Sequence, residues 1–411
     1  MAIIRPFKAL RPIPEKAAEV ASVPYDVVNR AEAFEQAKNY PHSFLRITRS
    51  EIELPEEVDP YSDIVYQKAK ENLERISKEA PLIVEEKPSF YLYRLIMGKQ
   101  KQTGIVATFS VDDYKNNVTL KHEKTRKDKE DDRTRHIITT RAQTGVVFLT
   151  YKGRESINQI VSNVCDKNNP LFDFTANDGI RHTIWILPEE YNQTIISEIA
   201  QVDKLYIADG HHRAASAARA CDEMKRNNPN HNGEEEYNYF IATLFPAEEL
   251  KILPYNRVVF DLNGLNKKDF LERVKEYFDV EKVNFAEPKE KRTICMYIDK
   301  EWHILRPNDK VKPSAGVGDN LDVSILQNYL LKPILSIEDP RTSKRIDFIG
   351  GIRGTKELVK LVDSGTAAVA FSMYPVTVQD LMNISDAGEI MPPKSTWFEP
   401  KLRDGLLTHL I

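Results

Sequence analysis

Apolar and polar positions fall in blocks along the chain, and the period of the blocks changes. The opening segment sets short apolar runs between Pro6, Pro12, Pro14 and Pro24. Proline fixes φ and withholds an amide donor, so this pattern favours strands and turns over helix. VPYDVV, residues 23–28, reads as a pinned turn. Residues 29–39 read as a short helix that Asn29 can cap, and 61–79 as a longer one. In the longer stretch Ile64, Val65, Leu73 and Ile76 form an imperfect apolar stripe that Lys68 interrupts. FYLYRLIM at 90–97 and TGIVATFSV at 103–111 are aromatic and β-branched, and with GKQKQ between them they predict a hairpin.

Further strands are expected at 144–151, 180–187, 204–208 and in YNYFIATLF at 237–245, with helices at about 154–164, 188–200 and 212–226. A second part follows LPYNR, residues 253–257, with helical segments at about 267–277, 321–333 and 355–363. Alternation on this scale predicts an α+β (mixed α/β) body rather than a β-sandwich. The expected division is residues 1–250 as an α/β core with inserted segments and residues 251–411 as a C-terminal α/β lobe closing a cleft.

Composition narrows the class of protein. Of 411 residues 41% are hydrophobic and 29% charged, which suits a globular chain with a real core. Lys and Arg total 58 against 62 Asp and Glu, a formal charge of -4. No bulk positive field therefore draws the chain to nucleic acid or an anionic membrane. Cys165, Cys221 and Cys295 are scattered and form no CxxC, so neither a disulfide scaffold nor a zinc knuckle is expected. MAIIRPFKAL lacks the apolar run of a secretory signal, and no stretch reaches the roughly 18 apolar residues of a membrane span. These features lead us to expect a soluble cytoplasmic protein with a small-molecule partner.

The densest chemistry lies in LYIADGHHRAASAARACDEM, residues 205–224. Apolar residues lead into Asp209 and Gly210 as a strand would, and the alanine-rich run after Arg213 has strong helix propensity. Gly210 suits a tight turn, Asp209 a cap, and the amides of a helix start can receive an anion. His211, His212 and Arg213 add two imidazoles and a permanent positive charge. A phosphate site is one reading of this cluster. A cap with packing residues and a surface arginine is another. A metal site is a third, although adjacent histidines with only Asp209 nearby do not reproduce a strong ligand spacing.

KHEKT, residues 121–125, is a second candidate, within a charged segment of both signs running from Leu120 to His136. His122 and Glu123 could perform acid/base work and Thr125 could contact a ligand, while Lys129 and Arg133 could neutralise phosphate charge. A salt-linked polar turn accounts for the same residues. Neither GxxxxGK[ST] nor GxGxxG is present, which disfavours an ordinary P-loop or Rossmann site. Tyr25 and Asp26 either face a ligand or cap their turn. IDFIGG at 346–351 suggests a strand entering a glycine turn. PPKSTWFEPK at 392–401 reads as a loop that either anchors the C-terminus or closes over an anion through Lys394, Ser395 and Thr396.

The ordered blocks RPFKALRP (5–12), VPYDV (23–27), KHEKT (121–125), IADGHHR (207–213), IDFIGG (346–351) and PPKSTWFEPK (392–401) resemble the uncharacterised domain family numbered 1015, over most of the chain. That family looks related to the ParB and sulfiredoxin-like superfamily, so the resemblance implies a ParB/sulfiredoxin-like core with large insertions. The superfamily includes partition proteins, a sulfinic-acid reductase and free-serine kinases. Its reductases need a cysteine where this chain has His211 and His212, which argues against reductase chemistry. The kinase branch uses a motif similar to DGHHR at its phosphate and substrate site, together with an acidic base near the N-terminus. Glu15, Glu19 and Asp26 are the acidic residues considered for that base.

The resemblance thus implies a nucleotide-dependent phosphotransferase acting on a small hydroxylated metabolite, with free serine as a candidate acceptor. ATP or ADP would lie near Gly210 and the helix start, and His211 or His212 would orient the phosphoryl group. Arg213 would stabilise its charge, and Asp209 would position the hydroxyl or a Mg²⁺ ion. His122, Glu123 and Lys129 would form a facing wall. Two alternatives stand beside this reading. One is a nucleotide-dependent regulatory or partition-like nucleic-acid-binding protein without turnover, which the charge balance disfavours. The other is a phosphoserine-type phosphatase or other hydrolase. The sequence leaves the oligomeric state open.

Overall fold

The computed structural model describes residues 1–411 and has a mixed α/β fold with several sheets. Two compact units form: residues 1–121, 125–250 and 400–411 make the first, and residues 122–124 with 251–399 make the second. The assignment differs at both ends from a single division at 250. Residues 400–411 join the first unit because Thr408–Leu410 pairs with Ala9–Pro12 and with Ala142–Gln143, in a four-stranded sheet that Leu82–Val84 completes.

The main sheet of the first unit has nine strands. Its path runs Thr119–Leu120, Leu205–Asp209, Val147–Tyr151, Tyr239–Pro246, Gln100–Ser110, Tyr91–Met97, Arg181–Ile186 and Phe172–Thr175, with Ile4–Arg5 added along Gln100–Ser110. The expected hairpin is present, with Tyr91 opposite Val106 and Met97 opposite Gln100. The second strand begins at Gln100, inside the segment expected to be connection, because the turn needs only Gly98 at φ 57 to reverse the chain. Leu92, Ile105, Leu149, Ile207 and Leu244 join Ile157 and Ala217 from flanking helices in one buried cluster. Trp185 belongs to that cluster as core packing.

Two of the expected helices are present. Asn29 closes a capping box with Glu32 at the start of Arg30–Ala37, as its position suggested. The longer helix, Asp63–Glu79, buries Val65, Tyr66, Ala69, Asn72, Leu73 and Ile76. Ile64 is 54% exposed, since helical spacing puts it a quarter-turn from the 65–69–72–76 face. The charged segment folds as a helix from Lys127 to Thr140, which lies against His211–Arg226. Ser216 is fully buried between them, and its hydroxyl donates to the Glu130 carbonyl at 3.2 Å.

The second unit is built on a six-stranded antiparallel sheet, ordered Phe278–Val283, Glu301–Pro307, Ile294–Ile298, Val369–Met373, Tyr255–Val259 and Ile346–Gly350. The helix Gly354–Asp363 covers one face through Leu358, which packs with Val258, Tyr297, Ile349 and Ala370. The helix expected over 321–333 is two pieces, α-helical at Asp322–Leu326 and π-helical at Gln327–Leu331.

Candidate functional site

The Leu205–Asp209 strand shifts register between Ile207 and Asp209, and a bulge at a strand end turns the following side chains out of the ladder. Gly210 then takes φ 92 and ψ 31, a left-handed conformation, and opens the helix His211–Arg226. A Cβ at this position would stand 3.2 Å from the guanidinium carbon of Arg213, so any other side chain would crowd that group. The strand, turn and helix follow in the order the sequence suggested.

Arg213 departs from the expected open donor fork. Its side chain is only 5% exposed. Nη1 donates to the Val146 carbonyl, and Nη2 faces Asp26 Oδ2 at 3.3 Å and Asp209 Oδ2 at 3.4 Å. Gly145 makes the room, since a Cβ there would lie 3.0 Å from Arg213 Cδ. Burial alone would lower the guanidinium's pKa, but Asp26, Asp209 and Asp404 outweigh it and raise the value.

Asp209 is a carboxylate held between donors. Its Oδ1 accepts the Gly210 amide at 3.0 Å, and Oδ2 also accepts from Lys401 Nζ at 3.1 Å. Burial pushes the carboxyl up, yet Lys401 and Arg213 beside it prevail and hold it well below the usual carboxylate range. Asp404 is the opposite case. It is 1% exposed and fixed by backbone pairing with Ser22, at 2.9 and 3.1 Å. The Val146 amide leans toward it, but neither oxygen has a donor in good hydrogen-bond geometry. Burial pushes Asp404 up to about 7, Arg213 opposes the rise and Asp26 adds to it.

The second candidate segment is only partly drawn in. His212 Nε2 accepts the Arg126 amide at 3.0 Å, which ties the start of the Lys127–Thr140 helix to the DGHHR turn and leaves Nδ1 as the proton-bearing nitrogen. The Thr125 hydroxyl donates to Glu130. Lys129 donates to the Tyr61 hydroxyl at 2.7 Å, so it does not face the turn as a phosphate ligand. Arg133 forks onto Asp132 at 2.8 and 3.0 Å, donates to the Thr48 carbonyl and lies 4.3 Å above the Tyr25 ring, so its charge is spent inside the fold. His122 and Glu123 belong to the short segment that groups with the second unit, where the His122 carbonyl accepts the Met391 amide at 2.8 Å.

A small cavity of about 30 Å³ adjoins Arg213, lined among others by Tyr25, Arg133, His136, Gln143 and Thr144. Burial, aided by Arg133, lowers His136 to about 4, so this imidazole is neutral at physiological pH. Of the N-terminal acids weighed as a base, Glu15 is exposed and Glu19 pairs with Lys16, while Asp26 reaches Arg213. Lys401 and Asp404 were missed as site residues because nearly two hundred positions separate them from the turn. Their only local signal was Lys401 closing the PPKSTWFEPK block.

Arg213 and Lys401 therefore balance Asp26 and Asp209, with Asp404 near its midpoint at neutral pH. No group of three or more His, Cys, Asp or Glu side chains is arranged to hold a metal ion. The oxygens of Asp209 face an amide and two cations, a set of donors that does not suit it to ligate Mg²⁺. The helix start, the left-handed glycine and Lys401 suit an anion better.

Residues 4–324 match the family described as Protein of unknown function (DUF1015). The chain belongs to that family. Lys401 and Asp404 lie beyond the matched residues of this DUF1015 chain. Among solved structures, a free serine kinase in complex with AMP is 13% identical, covering 72% of this chain and 86% of that one, with a TM-score of 0.35. SbnI with a C-terminal truncation, from Staphylococcus aureus, is 11% identical over 74% and 86% of the two chains, with a TM-score of 0.40. A conserved hypothetical protein from Pyrococcus furiosus is 13% identical over 73% and 93%, with a TM-score of 0.35. No curated protein matches the chain. No helix is long and apolar enough to cross a membrane.

Proposed function

We propose that this DUF1015 protein is a nucleotide-dependent phosphotransferase that acts on a small hydroxylated metabolite, with free serine as the first acceptor to try. The observation that carries the reading is the turn at Gly210, where a left-handed glycine opens a 16-residue helix and Lys401 stands beside Asp209. The resemblance of DGHHR to the phosphate-site motif of serine kinases adds to it.

A bound ATP or ADP would supply the phosphoryl group. The chain supplies position and charge, which is most of what phosphoryl transfer asks of a protein. The helix start and Lys401 receive phosphate oxygens. Asp209 stays ionised and accepts a hydrogen bond from the acceptor hydroxyl. His212, fixed through Nε2, presents Nδ1–H as a donor. Arg213 acts from beneath, locking Asp26 and Asp209 in place.

The reading is tested by incubating the protein with ATP or ADP, Mg²⁺ and a panel of hydroxylated metabolites, and searching for a phosphorylated product. Absence of both turnover and nucleotide binding would sink it. Phosphate release from phosphoserine without nucleotide would favour the hydrolase instead. Nucleic-acid binding that weakens steeply with salt, without turnover, would favour the partition-like protein. His212→Ala is expected to lower turnover far more than the folded fraction.

A further inference from the structure

IDFIGG and residues 392–399 of the PPKSTWFEPK block, which play no part in that activity, meet inside the second unit. Trp397–Glu399 pairs with Lys251–Leu253, just before the Tyr255–Val259 strand. Tyr255 lies opposite Gly350, and the Trp397 indole occupies the space a Cβ on Gly350 would need, only 2.7 Å away. The Tyr255 and Trp397 rings meet edge to face at 5.0 Å. The glycine of the first block thus exists to admit the tryptophan of the second.

Arg257 sits two residues beyond Tyr255, in the same strand and on the same face. It is paired in register with Phe348 and Phe371. Side chains alternate across a strand, so it points away from the face that Val258 shares with Leu358 and the covering helix. Arg257 is 3% exposed. Nη1 donates to the Tyr255 carbonyl and Nη2 to the Lys394 carbonyl at 3.1 Å, and the Phe348 ring lies 5.4 Å away. A guanidinium has five N–H donors, and these two carbonyls take one each. No carboxylate of the chain pairs with it, and burial lowers its pKa to about 10, still charged at neutral pH. Lys394 brings a second positive charge to the same place, its Nζ 5.7 Å from the Tyr255 ring.

A buried cation without an anion is expensive for a fold, and an apolar residue of similar volume would be cheaper. We infer that the second unit carries an oxyanion-binding site centred on the Arg257 fork, with Lys394 beside it, which takes the phosphate or carboxylate group of a small ligand. Both groups match a planar guanidinium fork. The inference is independent of the proposed phosphotransferase activity.

The test is the thermal midpoint of the full chain in chloride buffer at fixed ionic strength, titrated with inorganic phosphate in one arm and acetate in the other. The site predicts a rise in the wild type that Arg257→Met diminishes, and a rise in Lys401→Met, altered at the DGHHR turn, that adding Arg257→Met abolishes. A rise with phosphate alone assigns a phosphate group, and a rise with acetate a carboxylate. In the absence of either anion, Arg257→Met is expected to melt at or above the wild-type temperature. No response in the wild type, or an equal response in Arg257→Met, overturns the inference. If Arg257→Met does not fold, Arg257→Lys decides, since it keeps the charge and loses the fork. Weakening of about tenfold supports the site and unchanged binding overturns it.

Discussion

Two of the protein's buried arginines stand under opposite conditions. In the first unit Arg213 is surrounded by acids, with Asp26 and Asp209 in contact and Asp404 close by. In the second unit Arg257 has two backbone carbonyls, an aromatic ring and no acid. The first cluster closes on itself, and its surplus acid is met by Lys401 and by protonation of Asp404. The second leaves its charge to something outside the chain. A buried cation whose charge is matched by neighbouring acids serves the architecture of a site, whereas one without a counter-ion marks a place for a ligand.

Substitution should separate the two sharply. Arg213→Met leaves Asp26, Asp209 and Asp404 around an apolar side chain, and breaking such a buried cluster costs about 3–5 kcal/mol. Urea unfolding is expected to register a loss of that size, while Arg257→Met in anion-free buffer loses nothing. Equal losses would erase the distinction between the two arginines.

Asp209→Asn sharpens the comparison on the functional side. The amide keeps the shape and removes the charge, so turnover should fall by about a hundredfold, the usual scale for a positioned charged group, well beyond the partial loss of stability that unpairing Lys401 and Arg213 brings. A matching loss of folded protein would return Asp209 to a capping role.

Asp404 gives a pH signature. Its folded pKa of about 7 lies above the ordinary carboxyl value of 3.8. Between those values the folded state holds a proton that the unfolded chain has released. This group's stabilising contribution is therefore present at low pH and lost as pH rises through the folded pKa. Asp404→Asn mimics the protonated form, and it should exceed the wild type by about 4 kcal/mol at pH 8 and match it near pH 4. A difference independent of pH would show that Asp404 titrates elsewhere.

The smallest effect is expected at the turn. Gly210→Ala keeps the left-handed backbone and crowds Arg213, at a cost of about 1–2 kcal/mol in thermal or urea unfolding. No change would mean that the turn relaxes freely and that its geometry is not tied to Arg213.

Local chemistry was legible in the sequence, and distant chemistry was not. The capping box at Asn29, the hairpin around Gly98 and the strand, turn and helix at DGHHR all follow from neighbours within a few positions. Ile64 was misjudged because an apolar residue beside a stripe looks like part of it until the helix phase is fixed. Lys129 and Arg133 read as free cations because sequence does not show Tyr61, or the Tyr25 and Thr48 groups that hold Arg133. Lys401 and Asp404 reach the site only because the chain's last strand pairs with its second, an arrangement that no local periodicity announces. Arg257 lies in an ordinary strand pattern, and what sets it apart is the absence of an acid, which only the fold reveals.

The claim that phosphates bind at the helix start after Gly210 is tested most directly by nucleotide titration calorimetry on the wild type and on Lys401→Met, side by side. The account predicts that the wild type binds ATP or ADP and that Lys401→Met, still folded, binds about tenfold more weakly, as loss of one charge-assisted contact implies. Equal affinity in the two proteins, or no binding by either, would contradict it.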